Sequence, residues 1–343
     1  VDYLRIVLVH VAHIFNLNAD LYDEFLSQGW FRGFGMLYKS ELLCVDQDVQ
    51  SIVNIRVPLQ QHRFSKKQTR LLRNFKRDFD ILVGPVDIND EKQRLYDQHK
   101  YRFKAFIHPK LEDVICAYGA HEYCNTRELS VYHKDQLVAL SYFDTGSKSM
   151  ASILGLYDFT WSRFSPGMFT MYQEMEIAKQ EGLSHYYPGY IMDESQTFHY
   201  KLRLGEVEFL KGRFWRPWKE FDPDQTAASY LRNRMQQLAE HLKSRGIHFV
   251  KRLYPFFSNG HMPESEEHAL KYPVYFDWVG SQPKTVSTFD IESNEFLHLV
   301  LVPDEEDSSL SLSNFSSEYI NNGIYDMRLW KIAEQESFQI TPR

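Results

Sequence analysis

Two groups of residues in this chain have the types and spacing to act on a substrate. The first lies between residues 144 and 201: Asp144, Ser165 with Pro166 and Gly167, Tyr187, Tyr190, and the adjacent pair Tyr200 and Lys201. A lysine directly after an aromatic has no evident packing purpose and offers a cation to a bound anion. A helix opening Ser-Pro-Gly leaves N–H groups that can hold a phosphate or a carbonyl oxygen. Tyr187 and Tyr190 would serve equally as sheet packing, and Asp144 as the cap of a turn. The second group is basic: Gln61 to Arg77 contains Arg63, Lys66, Lys67, Arg70, Arg73, Lys76 and Arg77 and no acid. Lys66, Arg70, Arg73 and Arg77 recur at i, i+4, i+7 and i+11, a stripe able to follow a phosphate backbone, although a solvated helix face would look the same.

Other chemistries lack their residues. There is no GxSxG elbow, and Cys44, Cys116 and Cys124 form no CxxC pair. That spacing argues against a zinc site or a disulfide framework and fits a reducing compartment. His10 and His13 have no ligating neighbour and are read as ordinary strand or helix histidines. No metal and no cofactor are expected.

The elements that must position the first group follow one another without a gap. Leu137 to Phe143 reads as a strand stopped by Asp144, Thr145 and Gly146, and Met150 to Tyr157 as its hairpin partner. Ser165 and Pro166 suit a helix start, with the hydroxyl as cap. Met168, Met171, Tyr172, Met175 and Ala178 then recur at helical spacing until Gly182 and predict a buried stripe. Ser184 to Met192 reads as a third strand. Strand, strand, helix, strand is the usual core of a GNAT-type acyl-transferring fold, whose splayed sheet opens a slot beside a helix N-terminus. The expected fold class is α/β (α+β), with GNAT-like mixed sheets, flanking helices and a small C-terminal accessory domain.

Elsewhere, Asn18 to Gly29 and Asp90 to His99 read as helices and Ile52 to Leu59 as a strand. Ser65 caps a helix running to about Phe79. A boundary near residue 110 gives segments 1–110, 111–220 and 221–343. Asp224 to Arg245 is amphipathic, with Leu231, Met235, Leu238 and Leu242 on one face. Ile247 to Phe257 reads as a strand closing the preceding sheet, NEFLHLVLV as a strand, YDMRLW as a helix or strand, and VPDEEDSSLSLSNFSSE as a polar loop. The net charge of −7 conceals a division. His261 to Arg343 holds fifteen acids against five Lys or Arg, or −10, so the rest carries +3. The hydrophobic content of 43% supports a folded protein, and no stretch has the roughly 18 uninterrupted apolar residues of a membrane helix. A cytoplasmic protein without membrane contact is expected.

The segments LVALSYFD, LYD before a helix opening SPG, HYYPGYI and HYK resemble the C-terminal catalytic region of the arginyl-tRNA–protein transferases. On that pattern fall Asp144, Tyr157, Asp158, Ser165, Gly167, Tyr187, Gly189, Tyr190, Tyr200 and Lys201, with Pro188 where the family usually has Leu. Gly29-Trp30-Phe31-Arg32-Gly33, Arg56-Val57-Pro58 and Ser65 to Arg70 are similar to its N-terminal segments. The resemblance covers roughly residues 20 to 220. It implies transfer of Arg or Leu from charged tRNA to the N-terminal amine of an acceptor protein with an acidic N-terminus, as in N-degron marking. The ester brings its own leaving group, so positioning can suffice and no protein nucleophile is needed. Asp144, Ser165, Tyr187, Tyr190, Tyr200 and Lys201 become aminoacyl or acceptor pocket candidates, and the seven cations become tRNA contacts. The family usually carries clustered cysteines between the Trp turn and the Arg-Val-Pro strand, where this chain has Cys44 alone. One thiolate cannot hold zinc or an iron–sulfur cluster. Two other readings stay open: a GNAT-type acyltransferase with a small acyl donor, and a catalytically silent relative that binds tRNA or peptides.

Overall fold

A computed structural model describes residues 9–15, 17–102, 108–261, 269–304 and 324–340. Most of the polar loop VPDEEDSSLSLSNFSSE lies outside them. A small antiparallel sheet forms first, from β1 (Val9–His13), β2 (Phe31–Gly33) and β3 (Met36–Ser40) in the order β1-β3-β2, with helix α1 (Ala19–Ser27) between β1 and β2 in the chain. β4 (Leu42–Val45) and β5 (Asp48–Pro58) make a hairpin. Helix α2 (Lys66–Asp78), β6 (Asp80–Pro85), helix α3 (Asp90–His99) and the short helices α4 (Leu111–Ile115) and α5 (Ala120–Tyr123) follow. β7 (Thr126–His133), β8 (Gln136–Thr145) and β9 (Ser149–Tyr157) form a meander that leads into α6 (Pro166–Gln180). Then come β10 (His185–Tyr187), β11 (Tyr190–Met192), β12 (Glu208–Lys211) and β13 (Phe214–Pro217).

These strands build one mixed sheet in the order β13-β12-β5-β10-β9-β8-β7-β6, with β4 and β11 also paired to β5. The β9–β10 pair is parallel and α6 is its crossover, as the strand, strand, helix, strand reading expects. The apolar stripe of α6 faces the sheet: Met171, Tyr172 and Met175 are buried, and Met168 is half-buried. Helix α2 packs beside α6 through Phe75, whose ring stacks on Phe169 at 4.1 Å. Its start is a full capping box: Ser65 Oγ accepts from Gln68 N and Gln68 Oε1 accepts from Ser65 N, an arrangement worth about 1 kcal/mol. Because β5 and β6 join this sheet, the division at residue 110 does not coincide with a break in it.

Helix α7 (Ala227–Ser244) precedes a five-stranded antiparallel sheet of β14 (Phe249–Leu253), β15 (Val274–Trp278), β16 (Thr285–Asp290), β17 (Glu295–Pro303) and β18 (Trp330–Phe338). Ile247 to Phe257 does not close the preceding sheet, contrary to the expectation from its sequence. β14 pairs with β15 and opens the new sheet. Leu231, Met235, Leu238 and Leu242 of α7 are buried in a core with β15, β16 and β17, and Leu42, Cys44 and Val49 reach into the same core. Cys44 is buried, with its Sγ 3.3 Å from the Pro273 carbonyl. Among the described residues no three His, Cys, Asp or Glu side chains are grouped to hold a metal ion, and no helix is long and apolar enough to cross a membrane.

Candidate active site

The sheet opens where β10 ends. β9 and β10 pair from Ser149 with His185 to Ala151 with Tyr187, and there the register stops. Pro188 has no N–H to continue the ladder, and Gly189 turns the chain at φ +88°, a conformation that favours glycine. The single strand expected from Ser184 to Met192 is therefore two. β11 pairs with β5 alone, from Tyr190 with Asn54 to Met192 with Ile52. Ser152 to Tyr157 of β9 are left facing a gap, and the gap is a cleft of about 650 Å³.

The start of α6 supplies one wall of that cleft, through Ser165, Pro166, Gly167 and Met168. Ser165 is left-handed at φ 60° and its hydroxyl makes no capping bond, so its predicted capping role is replaced by a sharp turn into Pro166. The N–H of Gly167 is one of the groups that a helix start leaves without an intrahelical acceptor. Opposite lie Phe31, Tyr38, Tyr187, Tyr190 and Trp215. Tyr187 is buried with its ring 5.7 Å from Trp215, and Tyr190 is half-buried, 5.3 Å from Phe31 and 5.6 Å from Phe198. Both are walls of the cleft and parts of the packing at once. Tyr200 also lines the cleft but is 38% exposed.

Lys201 is a cation of this cleft, along with Arg32 and Arg102. It sits on the 3-10 segment Gln196–Leu204, and its Nζ donates to the Tyr190 carbonyl at 3.0 Å. The ammonium lies 4.8 Å from the centre of the Phe198 ring and 5.6 Å from that of Tyr190. A side chain at residue 189 would place its Cβ 3.4 Å from Nζ, so Gly189 both turns the strand and leaves room for the lysine. Burial pulls the Lys201 ammonium down to about 7. It has no carboxylate partner among the described residues.

Asp144 does not line the cleft. It is fully buried and accepts from Arg32 Nε at 2.7 Å, Arg32 Nη2 at 3.2 Å, Tyr22 Oη at 2.9 Å and Thr126 Oγ1 at 2.6 Å. The physical reason is charge pairing. A carboxylate at the end of a central strand meets a buried guanidinium and is consumed by it. Arg32 does reach the cleft lining, yet its pairing with Asp144 anchors β2 to β8 and its Nη1 is spent on the carbonyls of Ile115, in α4, and Phe34. The pairing joins residues 112 positions apart and has no local signal.

Sequence reasoning also missed Asn54, His99, Arg102, Ser152 and Phe198 in the lining, and a buried carboxyl behind it. Glu174, on the inner face of α6, accepts from Tyr186 Oη at 2.6 Å, and burial pushes it up to about 7. It lies within the predicted stripe, three residues after Met171 and four before Ala178, but its type is that of a surface acid.

The seven cations are all exposed. Gln68, Leu72 and Phe75 turn α2 inward, which puts Lys66, Arg70, Arg73 and Arg77 on the opposite side. Lys76 pairs with Glu176, and Arg77 pairs with Asp78 at 2.7 Å. Lys66, Lys67, Arg70 and Arg73 have no carboxylate partner among the described residues.

A family model described as arginine-tRNA-protein transferase, C terminus, matches residues 70–211. The aspartate/glutamate leucyltransferase of Campylobacter jejuni (strain 81116) is 27% identical over 213 residues, covering 60% of this chain and 85% of that protein. The protein of the same name from Stenotrophomonas maltophilia is 25% identical over 219 residues, 60% of this chain and 81% of its own. Among solved structures, FemX aligns over 63% of this chain and 71% of its own, at 9% identity and a TM-score of 0.38.

Proposed function

We propose that this chain, which belongs to the aminoacyl-tRNA–protein transferase family, moves leucine from charged tRNA to the α-amine of an acceptor whose first residue is Asp or Glu. Leucine is preferred to arginine because the curated relatives it matches are aspartate/glutamate leucyltransferases. The observation that carries the acceptor choice is Lys201, a cation in an aromatic cleft with no carboxylate partner among the described residues. An acidic side chain would complete it, and the bound carboxylate would hold the ammonium in its charged form.

In this reading the acceptor nitrogen, with its lone pair free, attacks the ester carbonyl carbon. The C–N bond forms, the carbon–oxygen bond to the ribose breaks, and the proton lost by nitrogen balances the one gained by the ribose oxygen. The Gly167 N–H and the Ser165 hydroxyl are assigned to the carbonyl oxygen as its charge grows. Tyr187, Tyr190 and Tyr200 shape the space around the aminoacyl group. Segment 1–110 brings the donor through α2, segment 111–220 performs the transfer, and segment 221–343 is an acidic accessory region. We assign the reaction to the cytoplasm and its product to N-degron marking.

The test supplies leucyl- or arginyl-tRNA, labelled on the amino acid, with peptides that begin Asp, Glu, Ala or Lys. Leucine should appear on the Asp and Glu peptides. Arginine in its place would change the donor, and transfer to none of the peptides would refute the reading.

A further inference from the structure

An aromatic surface joins the basic helix to the mouth of the cleft. Phe79, which ends α2, stacks on Phe75 at 4.5 Å and meets Trp161 at 5.4 Å, His133 at 5.5 Å and Phe164 at 6.5 Å. Trp161 lies 5.5 Å from Phe164, and the Arg163 guanidinium sits 4.7 Å above the Phe164 ring. Trp161, Arg163 and Phe164 belong to the 3-10 turn Phe159–Phe164 between β9 and α6, and the serines interleaved with them, Ser162 and Ser165, line the cleft.

The packing of α2 on α6 does not need these rings, since Phe75 and Phe169 make that contact beneath them. Phe164 is nevertheless held 38% exposed, and Arg163 is exposed with no carboxylate partner among the described residues. An exposed ring under a guanidinium, backed by the half-buried Trp161 and Phe79 on a track that starts at a cationic helix, is the equipment for holding unpaired bases. A duplex stem cannot use them, because its base faces are already stacked.

We propose that Trp161 and Phe164, with Arg163, form a stacking platform for the unpaired 3′ end of the charged tRNA. The platform delivers the ester from α2 to the start of α6. This rests on the transferase reading and adds the path by which the donor reaches the cleft.

The experiment measures binding of the full chain to intact tRNA and to the same tRNA trimmed of its unpaired 3′ nucleotides. Phe164→Leu keeps the apolar volume and removes the ring, while Phe164→Tyr keeps the ring. Phe164→Leu should weaken intact tRNA about tenfold, leave trimmed tRNA at the native affinity, and keep the native dependence on salt. Phe164→Tyr should bind both like the native chain. The platform is refuted if Phe164→Leu binds intact tRNA normally, as it would were the patch a seat for a protein side chain, or if it loses equally on both RNAs, as it would were the ring needed for the fold itself. A native chain that binds intact and trimmed tRNA alike also refutes it and leaves the donor reading standing. A native chain that binds neither removes both.

Discussion

The stripe on α2 makes a prediction that can be worked through numerically. Arg77 is paired with Asp78 at 2.7 Å, so the stripe presents Lys66, Arg70 and Arg73 to a polyanion. Each phosphate contact contributes roughly −0.7 (single strand) to −0.9 (duplex) to the slope of log affinity against log salt, so three contacts give roughly −2.1 to −2.7. Converting Arg70 and Arg73 to Ala should flatten the slope by about 1.4 to 1.8. Between about 50 and 200 mM salt the native patch should lose about 20- to 40-fold in affinity, and the double variant about 3-fold from this patch. Both positions are exposed and alanine is the better helix former, so the fold should survive, as circular dichroism would confirm. Fluorescence anisotropy with labelled tRNA over a salt series reads the slope. An unchanged affinity and slope would show that the stripe is a solvated face and that the donor docks elsewhere.

Three further outcomes are expected. Lys201→Met should raise KM for peptides beginning Asp or Glu by about 10-fold or more while leaving peptides beginning Ala unchanged, since a charged hydrogen bond is worth about 1.5–3 kcal/mol; equal losses on both would deny Lys201 its part in acceptor choice. Glu174 is held at about 7 against an ordinary 4.5, so the folded state binds the extra proton between those values and stability falls as pH rises through them. Glu174→Gln should abolish that fall and exceed the native chain by roughly 3 kcal/mol at pH 8, with no difference below about pH 4.5; urea melts at pH 5 and 8 that show no native decline would contradict it. Gly189→Ala, at φ +88° and with a Cβ 3.4 Å from Lys201 Nζ, should lower stability by about 1–2 kcal/mol, measurable as a drop in Tm.

Local signals were legible in the sequence and distant pairings were not. The capping box of Ser65 and Gln68 and the inward stripe of Gln68, Leu72 and Phe75 are written within a few residues, and α2 forms where they place it. The hairpin β8–β9 and the crossover α6 were equally local. Pro188 and Gly189 carried the signal that splits Ser184 to Met192 into two strands, but the apolar run around them outweighed it. The split creates the cleft. Asp144 illustrates the other limit, because only the fold brings Arg32 to its carboxylate. Glu174 had no signal as a site residue, because a carboxylate in a helix reads as solvated until the fold shows which neighbour its face meets. Arg163 and Phe164 carry no local signal of their own. Their role depends on standing next to Phe79, a contact made across the fold.

The eleven-residue strand β5 belongs to two cores. Val49 is packed with α7 and the C-terminal sheet, while Val53, Ile55 and Val57 are packed with α6 and the cleft-bearing sheet. The Ser51 N–H donates to Asp193 Oδ1 at 2.8 Å, Thr226 Oγ1 donates to Asp193 Oδ2 at 2.7 Å, and Ala228 N donates to Ser51 Oγ at 2.8 Å. One end of the strand that β11 leans on is therefore clamped by the helix that precedes the C-terminal sheet. Modular trimming is closed off by this arrangement. A shortened chain ending before α7 would strip the cover from Leu42, Cys44 and Val49 and slacken the back wall of the cleft. Helix α7 and the C-terminal sheet buttress the cleft-bearing sheet, and the two should melt in a single transition.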